Sequence, residues 1–388
     1  MQKLKNILIG CVISGSVVLL VFFGFEIYLR LFNPQMVSFL QPDPVIGTKH
    51  IPGLKIRQSN SCMKTITQFN SEGMHDIEHA IQKPEGVYRI AVIGDSYVEA
   101  MQYDLENSFF KQLELNLKKE GKSVEVLSFG VGGFGTAQEY FLLRDYALKY
   151  SPDLVILSFY TANDVRNNSF ELEKSPDMPY AILDEDGNIV FNDFKISESY
   201  LKQYNSRLRS LIFDNLHSVR FVYRNLSRSL VLRNLMAKIN LQTESESNED
   251  STDSDVIYFA NTPPEWQESW KLTEALILKM RDESKSHGAE FVVFSLSNPE
   301  QVSPELFAKV EATHSGIEIN RKKSEEKLTE FSMNNDINYF QALPFMDELN
   351  SRGIVVHPQC HGHWSLEAHY LAGKLLSDYI LDKKLINQ

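Results

Sequence analysis

The longest apolar run in the chain lies near its start. From Ile7 to Phe25 it reads ILIGCVISGSVVLLVFFGF, with Lys3 and Lys5 before it and no charge until Glu26. About 19 residues at about 1.5 Å each reach close to 30 Å, the thickness of a bilayer's hydrocarbon core. A helix satisfies its backbone groups internally, so the run predicts a transmembrane helix. The lysines before it favour a cytoplasmic N-terminus, with the rest of the chain on the outer, periplasmic side. Glu26-Ile27-Tyr28-Leu29-Arg30 follows, without the small-residue pattern of a cleavage site, so the run reads as an uncleaved signal-anchor. Leu8-Ile9-Gly10-Cys11 has the look of a lipid-attachment site, but it comes too early, with almost no apolar core before it.

Beyond the anchor the period changes. Residues 33–60 carry Pro34, Pro42, Pro44 and Pro52 and predict an extended or irregular lead-in. Short runs rich in β-branched residues then alternate with stretches of helical spacing. YRIAVIG (Tyr88–Gly94), VEVLSF (Val124–Phe129), LVILSFY (Leu154–Tyr160) and EFVVFSL (Glu290–Leu296) read as buried parallel strands, with Ile337–Leu343 as a fifth. Helical spacing falls at 107–120, 136–150, 265–287, 321–331 and 363–381. Such alternation predicts an α/β fold, a parallel sheet with helices on both faces. The middle breaks the rhythm. Asp186-Gly187 signals a hairpin within 181–190, and 197–241 is helical in pattern, with Leu208, Leu211, Ile212 and Leu216 on one side. TESESNEDSTDSD, 243–255, has no apolar residue and reads as a disordered solvated loop. The division expected is a cytoplasmic tip and anchor (1–32), a lead-in (33–84), and one α/β domain (85–384) with a helical insertion at about 171–263.

Charge changes the picture by exclusion. There are 51 acidic and 39 basic residues, a net charge of -12, and no basic cluster of the kind that nucleic-acid binding requires. The three cysteines, Cys11, Cys62 and Cys360, are too few for a disulfide framework. Cys62 and Cys360 could pair in an oxidising compartment, but spacing in sequence does not decide it.

Chemistry-bearing residues follow the strands. Gly94-Asp95-Ser96 comes directly off the first strand. Sites in open parallel sheets lie beyond the carboxyl ends of strands, and a serine there can be activated by an adjacent base. Gly130-Val131-Gly132-Gly133-Phe134-Gly135 follows the second strand and lets a backbone N–H approach a ligand. Ala162-Asn163-Asp164 follows the third and offers an amide donor. His361-Gly362-His363 opens the last helical stretch and offers a general base. Taken singly, the glycine run is a tight turn, Asn163 a helix cap and His363 a surface histidine; their joint placement is what points to catalysis. His357, Cys360, His361, His363 and His369 compete as metal ligands, but a second cluster is missing and His363 and His369 are six apart. Phosphate-loop and dinucleotide fingerprints are absent, and no cofactor is implied.

This order of serine, glycine, asparagine and late histidine resembles the SGNH or GDSL hydrolases, over roughly residues 68–384. Phe69-Asn70-Ser71-Glu72-Gly73, VIGDSYVEA, FGVGGFGTAQEY and NDVRNN look like the bacterial membrane-anchored branch. The resemblance implies a three-layer, flavodoxin-like sheet. It also implies Ser96 as nucleophile, His363 as base, and Ser96, Gly133 and Asn163 around the oxyanion, with Asp95, Asp164 and His361 in support. Its members act on esters, often acyl or acetyl groups on glycans or lipids. The departures are specific. The family places an aspartate two or three residues before the histidine; here His361 and Cys360 stand there, so a backbone carbonyl or an acid from elsewhere must hold the imidazole. Ser365, Ala368 and Ser128 replace an asparagine, a glycine and an asparagine. An esterase or deacylase is the leading expectation. An acyltransferase using the same serine, or a catalytically impaired binding or assembly protein, is the alternative.

Overall fold

The computed structural model describes residues 2–35, 37–59, 62–213, 215–227 and 254–386. Helix α1 (Gln2–Phe32) is the one helix among them long and apolar enough to cross a membrane, and most of its apolar stretch is exposed.

The lead-in is more ordered than its prolines suggest. Strands β1 (Leu40–Asp43) and β2 (Gly47–His50) form one antiparallel hairpin, and β3 (Lys55–Ser59) and β4 (Lys64–Gln68) a second. Proline is tolerated because a two-stranded ribbon leaves one edge of each strand without ladder bonds; Pro42 stands opposite Thr48 in the first hairpin.

The sheet proper starts at β5 (Tyr88–Gly94), followed by α2 (Ser96–Glu99), α3 (Phe109–Lys119), β6 (Val124–Gly130) and α4 (Thr136–Leu142). A widened turn and a tight one carry α4's path on to Tyr150. Next come β7 (Leu154–Phe159), α5 (Thr161–Asp164) and α6 (Phe170–Glu173). A hairpin of β8 (Ala181–Leu183) and β9 (Ile189–Phe191) turns at Asp186-Gly187, as the dipeptide predicts, with Gly187 at φ +81°.

Instead of one long helical stretch from 197, three short helices follow: α7 (Glu198–Tyr204), α8 (Arg207–Phe213) and α9 (His217–Ser227). Asn205, Ser206 and Asn215 fall in the breaks, where side chains that bond the local backbone compete with helix. The remainder of that pattern, to 241, and the acidic stretch from 243 through 253 lie outside the described residues. A buried turn, Asp255–Tyr258, leads into α10 (Pro264–Ser286), β10 (Glu290–Ser295), α11 (Pro299–Val302), α12 (Pro304–Thr313) and α13 (Lys323–Asn334). The chain then runs through β11 (Asn338–Gln341), α14 (Leu343–Ser351) and α15 (Leu366–Asp382).

Five strands form one parallel sheet in the order β11-β10-β7-β5-β6. Their side chains alternate between two cores. Ile90, Val92, Ile156 and Phe294 pack with Phe109 of α3, Met346 of α14 and Leu376 of α15. Ala91, Ile93, Leu157 and Val293 pack with Tyr140 of α4, Ile277 of α10 and Leu328 of α13. Three layers result, in the flavodoxin-like order, because the chain goes out from β5 to β6 and then crosses to β7. At that reversal the connections leave β5 and β7 in opposite directions and open a crevice above their carboxyl ends.

Candidate active site

Ser96 and Asn163 flank this crevice. Asp95 caps α2 by accepting the Tyr97 amide proton at 2.9 Å, which makes Ser96 the first residue of the helix. The turn is possible because α2 lies directly on the end of β6. A Cβ at Gly130 would stand 2.3 Å from the Glu99 nitrogen and 2.5 Å from the Val98 carbonyl carbon, so this position admits only glycine.

The histidine is held on a loop. α15 begins at Leu366 with Ser365 as its cap, so His363 precedes the helix that its spacing suggested it would open. Trp364, fully buried, donates its indole N–H to Ser297 Oγ at 3.0 Å, and the Ser365 amide donates to the Val356 carbonyl at 2.7 Å. On the other side Cys360 is disulfide-bonded to Cys62, with Cα atoms 5.9 Å apart. So fixed, His363 places Nε2 2.8 Å from Ser96 Oγ and Nδ1 2.7 Å from the carbonyl oxygen of His361.

The tautomer follows. A carbonyl can only accept, so Nδ1 carries the proton and Nε2 presents its lone pair to the serine hydroxyl. The carbonyl that faces Nδ1 is thus a backbone group two residues upstream, where the sequence resemblance would place an aspartate. The His361 ring does something else: its Nδ1 accepts the His363 amide proton at 3.2 Å. Burial and the neighbouring His363 push its pKa down to about 4, so it is neutral when it does so. Asp95 does not reach the Nδ1 side of His363; its second oxygen accepts from Asn163 Nδ2 at 2.9 Å. Because the orienting group is backbone, His361→Ala is expected to cost less than about tenfold in kcat, against roughly 10,000-fold for loss of a triad aspartate. A loss of the larger size in a folded variant would show that the ring is essential.

Gly133 has φ +78° and its carbonyl accepts from Asn167 Nδ2 at 2.7 Å. Among the described residues neither the Gly133 nor the Ser96 amide donates a hydrogen bond, so both N–H groups are open to a ligand. Asn163 differs: its amide hydrogens already go to Asp95 Oδ2 and, at 3.2 Å, to the Phe134 carbonyl. It can serve an oxyanion only by releasing one of them. The glycine loop and the segment after Asn163 are stitched together, Asn168 Oδ1 accepting from the Ala137 amide at 2.7 Å and Gln138 Nε2 donating to the Asn167 carbonyl at 3.3 Å.

Two participants escaped the sequence. Glu99, at the end of α2, meets His50 Nε2 at 2.5 Å and the Gly132 amide at 3.4 Å, while His50 Nδ1 lies 2.8 Å from the Gly73 carbonyl. The first hairpin thus braces the glycine loop through Glu99. No motif signals this, because the partners are distant in sequence and each is common by itself.

Beneath the serine lies a group of buried acids. Asp164 accepts the Tyr160 amide proton at 2.7 Å, and both oxygens of Glu139 are without a partner among the described residues. Burial raises Asp95 to about 6 and holds Glu139 and Asp164 well above the carboxylate range, with repulsion from Glu99 adding to the first, from Asp95 to the second, and from Glu139 and Asp95 to the third. Glu139 therefore keeps its proton when folded and loses it above about 4.5 when unfolded, so stability is lost as pH rises from there. Glu139→Gln removes that titration. Its Tm is expected to gain on the wild type by about a few degrees between pH 5 and pH 8. A difference constant with pH would refute the buried-acid account.

The histidines weighed as metal ligands are dispersed. His357 Nε2 lies 3.0 Å from the Ser297 carbonyl, and His369 Nδ1 accepts the Phe109 amide proton at 3.1 Å. Burial pushes both down to about 3. Among the described residues Cys62, Cys360 and His361 are near enough to share an ion, and there the two sulfurs are bonded to each other.

No family model matches the chain, and no curated protein is similar to it. Among solved structures it is similar to a GDSL-like lipase from Bacteroides thetaiotaomicron, at 11% identity over 76% of this chain and 88% of that one, TM-score 0.34. It is also similar to the psychrotrophic esterase EstA from Pseudoalteromonas sp., at 11% identity over 77% and 99%, TM-score 0.37. An acetyl xylan esterase matches at 9% identity over 76% and 99%, TM-score 0.37. Likenesses at this level carry no argument about the reaction, which has to come from the arrangement of Ser96 and His363.

Proposed function

We propose that this chain is a serine esterase or deacylase that works through a Ser96–His363 dyad on the outer side of the cytoplasmic membrane. What carries the reading is one set of contacts: Nε2 of His363 at 2.8 Å from Ser96 Oγ, with Nδ1 on the His361 carbonyl. Ser96 Oγ attacks the ester carbonyl carbon as Nε2 takes its proton. The carbonyl oxygen becomes an oxyanion facing the open amides of Ser96 and Gly133, with Asn163 as a further donor once it releases the Phe134 carbonyl. The imidazolium returns the proton to the leaving alkoxide, which departs as an alcohol. Water then attacks the acyl-serine carbonyl as Nε2 takes its proton; the Ser96 Oγ–acyl bond breaks, Oγ takes that proton back from Nε2, and the acid is released. The substrate is an ester, with acyl or acetyl groups of glycans or lipids as the class that the sequence resemblance supports. The outward location follows from α1 as a signal-anchor with Lys3 and Lys5 on the cytoplasmic side.

The test is covalent. A fluorophosphonate probe added to the full chain in detergent is expected to label Ser96, and Ser96→Ala to abolish labelling. Equal labelling of the variant would place the nucleophile elsewhere; none in either would leave only the binding-protein alternative.

A further inference from the structure

We infer that α9, with α8 before it, lies on the bilayer surface and binds anionic phospholipid headgroups, so that the domain is held to the membrane at two places. The inference rests on α1 as a membrane span and adds to it a contact that an anchor alone does not require.

Three observations converge. The first is continuity with the span. Its apolar run ends at Phe25, and the next residue, Glu26, caps α9: one carboxylate oxygen accepts the His217 amide proton at 3.0 Å, the other that of Ser218 at 2.7 Å. Arg30 bonds Glu26 at 2.7 Å and the Asn215 carbonyl at 2.5 Å. The Gln35 amide donates to His217 Nδ1 at 2.9 Å, and the rings of Phe25 and Phe221 meet edge to face at 5.5 Å. α9 is thereby fixed at the level where the hydrocarbon core ends. The second is charge. Between 207 and 227 the chain has four arginines, Arg207, Arg209, Arg220 and Arg224, against one acid, Asp214, although the whole chain carries -12. Arg207 and Arg224 are exposed. The third is apolar exposure on the same helix: Val222 is 48% and Leu226 39% exposed. Arg220 is buried on the Phe213 carbonyl, so the exposed charge is that of Arg207 on α8 and Arg224 on α9; with the bare aliphatic side chains of α9, pinned at the exit of a membrane span, it fits the headgroup boundary.

The full chain with Cys11→Ser and Val222→Cys, labelled with an environment-sensitive fluorophore, would be reconstituted into two kinds of bilayer. One is phosphatidylcholine alone, the other a mixture with phosphatidylglycerol. The expected result is a blue-shifted label, quenched by brominated acyl chains, more strongly with the anionic lipid and less at high salt. Neutralising Arg207 and Arg224 by Gln should weaken the association by about fivefold for each. A label in water in both bilayers, with the protein still resistant to alkaline extraction, would overturn the inference and leave the anchor standing. Extraction by alkali would remove the anchor as well. A label equally dry in detergent and unaffected by bromolipid would mean that protein, such as a second copy of the chain, covers α9.

Discussion

Hydrolysis of p-nitrophenyl acetate by the full chain is expected to fall by about 10,000-fold in Ser96→Ala and by a similar factor in His363→Ala, with the double variant no worse than either. The two act as one unit, because the 2.8 Å bond joins the attacking oxygen to its base. What remains should come from the amides of Ser96 and Gly133, which neither substitution removes. The rate depends on the tautomer. In a Ser-His-Asp triad, replacing the aspartate leaves the imidazole in the wrong tautomer; here the His361 carbonyl enforces the right one by offering only an acceptor. A carbonyl lacks the full negative charge that would stabilise the imidazolium, so the wild-type rate should sit below that of a complete triad while the dyad stays essential. Equal rates in wild type and both variants, all folded by circular dichroism, would end the hydrolase reading.

Removal of the disulfide is the second large effect. Cys62 and Cys360 are 298 residues apart, and chain-entropy reasoning puts a bridge over so long a loop at about 5–6 kcal/mol. Cys62→Ser with Cys360→Ser is expected to lower Tm by about 10 °C. Catalysis should suffer too, since Cys360 is three residues before the base and one before the carbonyl that orients it. A drift of about 1 Å can cost about 100-fold, so kcat should fall by about 10- to 100-fold with KM little changed. A thiol reductant should reproduce this in the wild type and do nothing further to the variant. A lower Tm with full kcat would make the bridge a fastening for the fold alone.

The sheet was legible because its strands are unbroken apolar runs, which a sheet covered on both faces requires. The placement of Ser96 and Asn163 beyond two of those strands was legible for the same reason. Other features rest on contacts between distant parts of the chain. The two hairpins within 40–68 are polar and proline-bearing, and they hold through partners such as Glu99 for His50 and Met101 for Thr65. The disulfide depends on a Cα separation that spacing does not encode. The group that orients His363 is invisible for a different reason: every residue has a carbonyl, and only the path of the loop selects the one at 361. The start of the last helix was misplaced by three residues because Trp364 and Ser365, which fit helical spacing, are used to bury an indole and to cap.

The separation between serine and histidine has a consequence in time. The two lie 267 residues apart, and the histidine follows every strand of the sheet in the sequence. A ribosome delivers the chain from its amino end. The anchor and the serine therefore emerge early, and the base arrives only when the last few dozen residues are made. On the proposed mechanism, the growing polypeptide would hold throughout that interval a serine that nothing deprotonates. Its reactivity would be switched on by arrival of the histidine, and by the oxidation of two thiols that are made 298 residues apart.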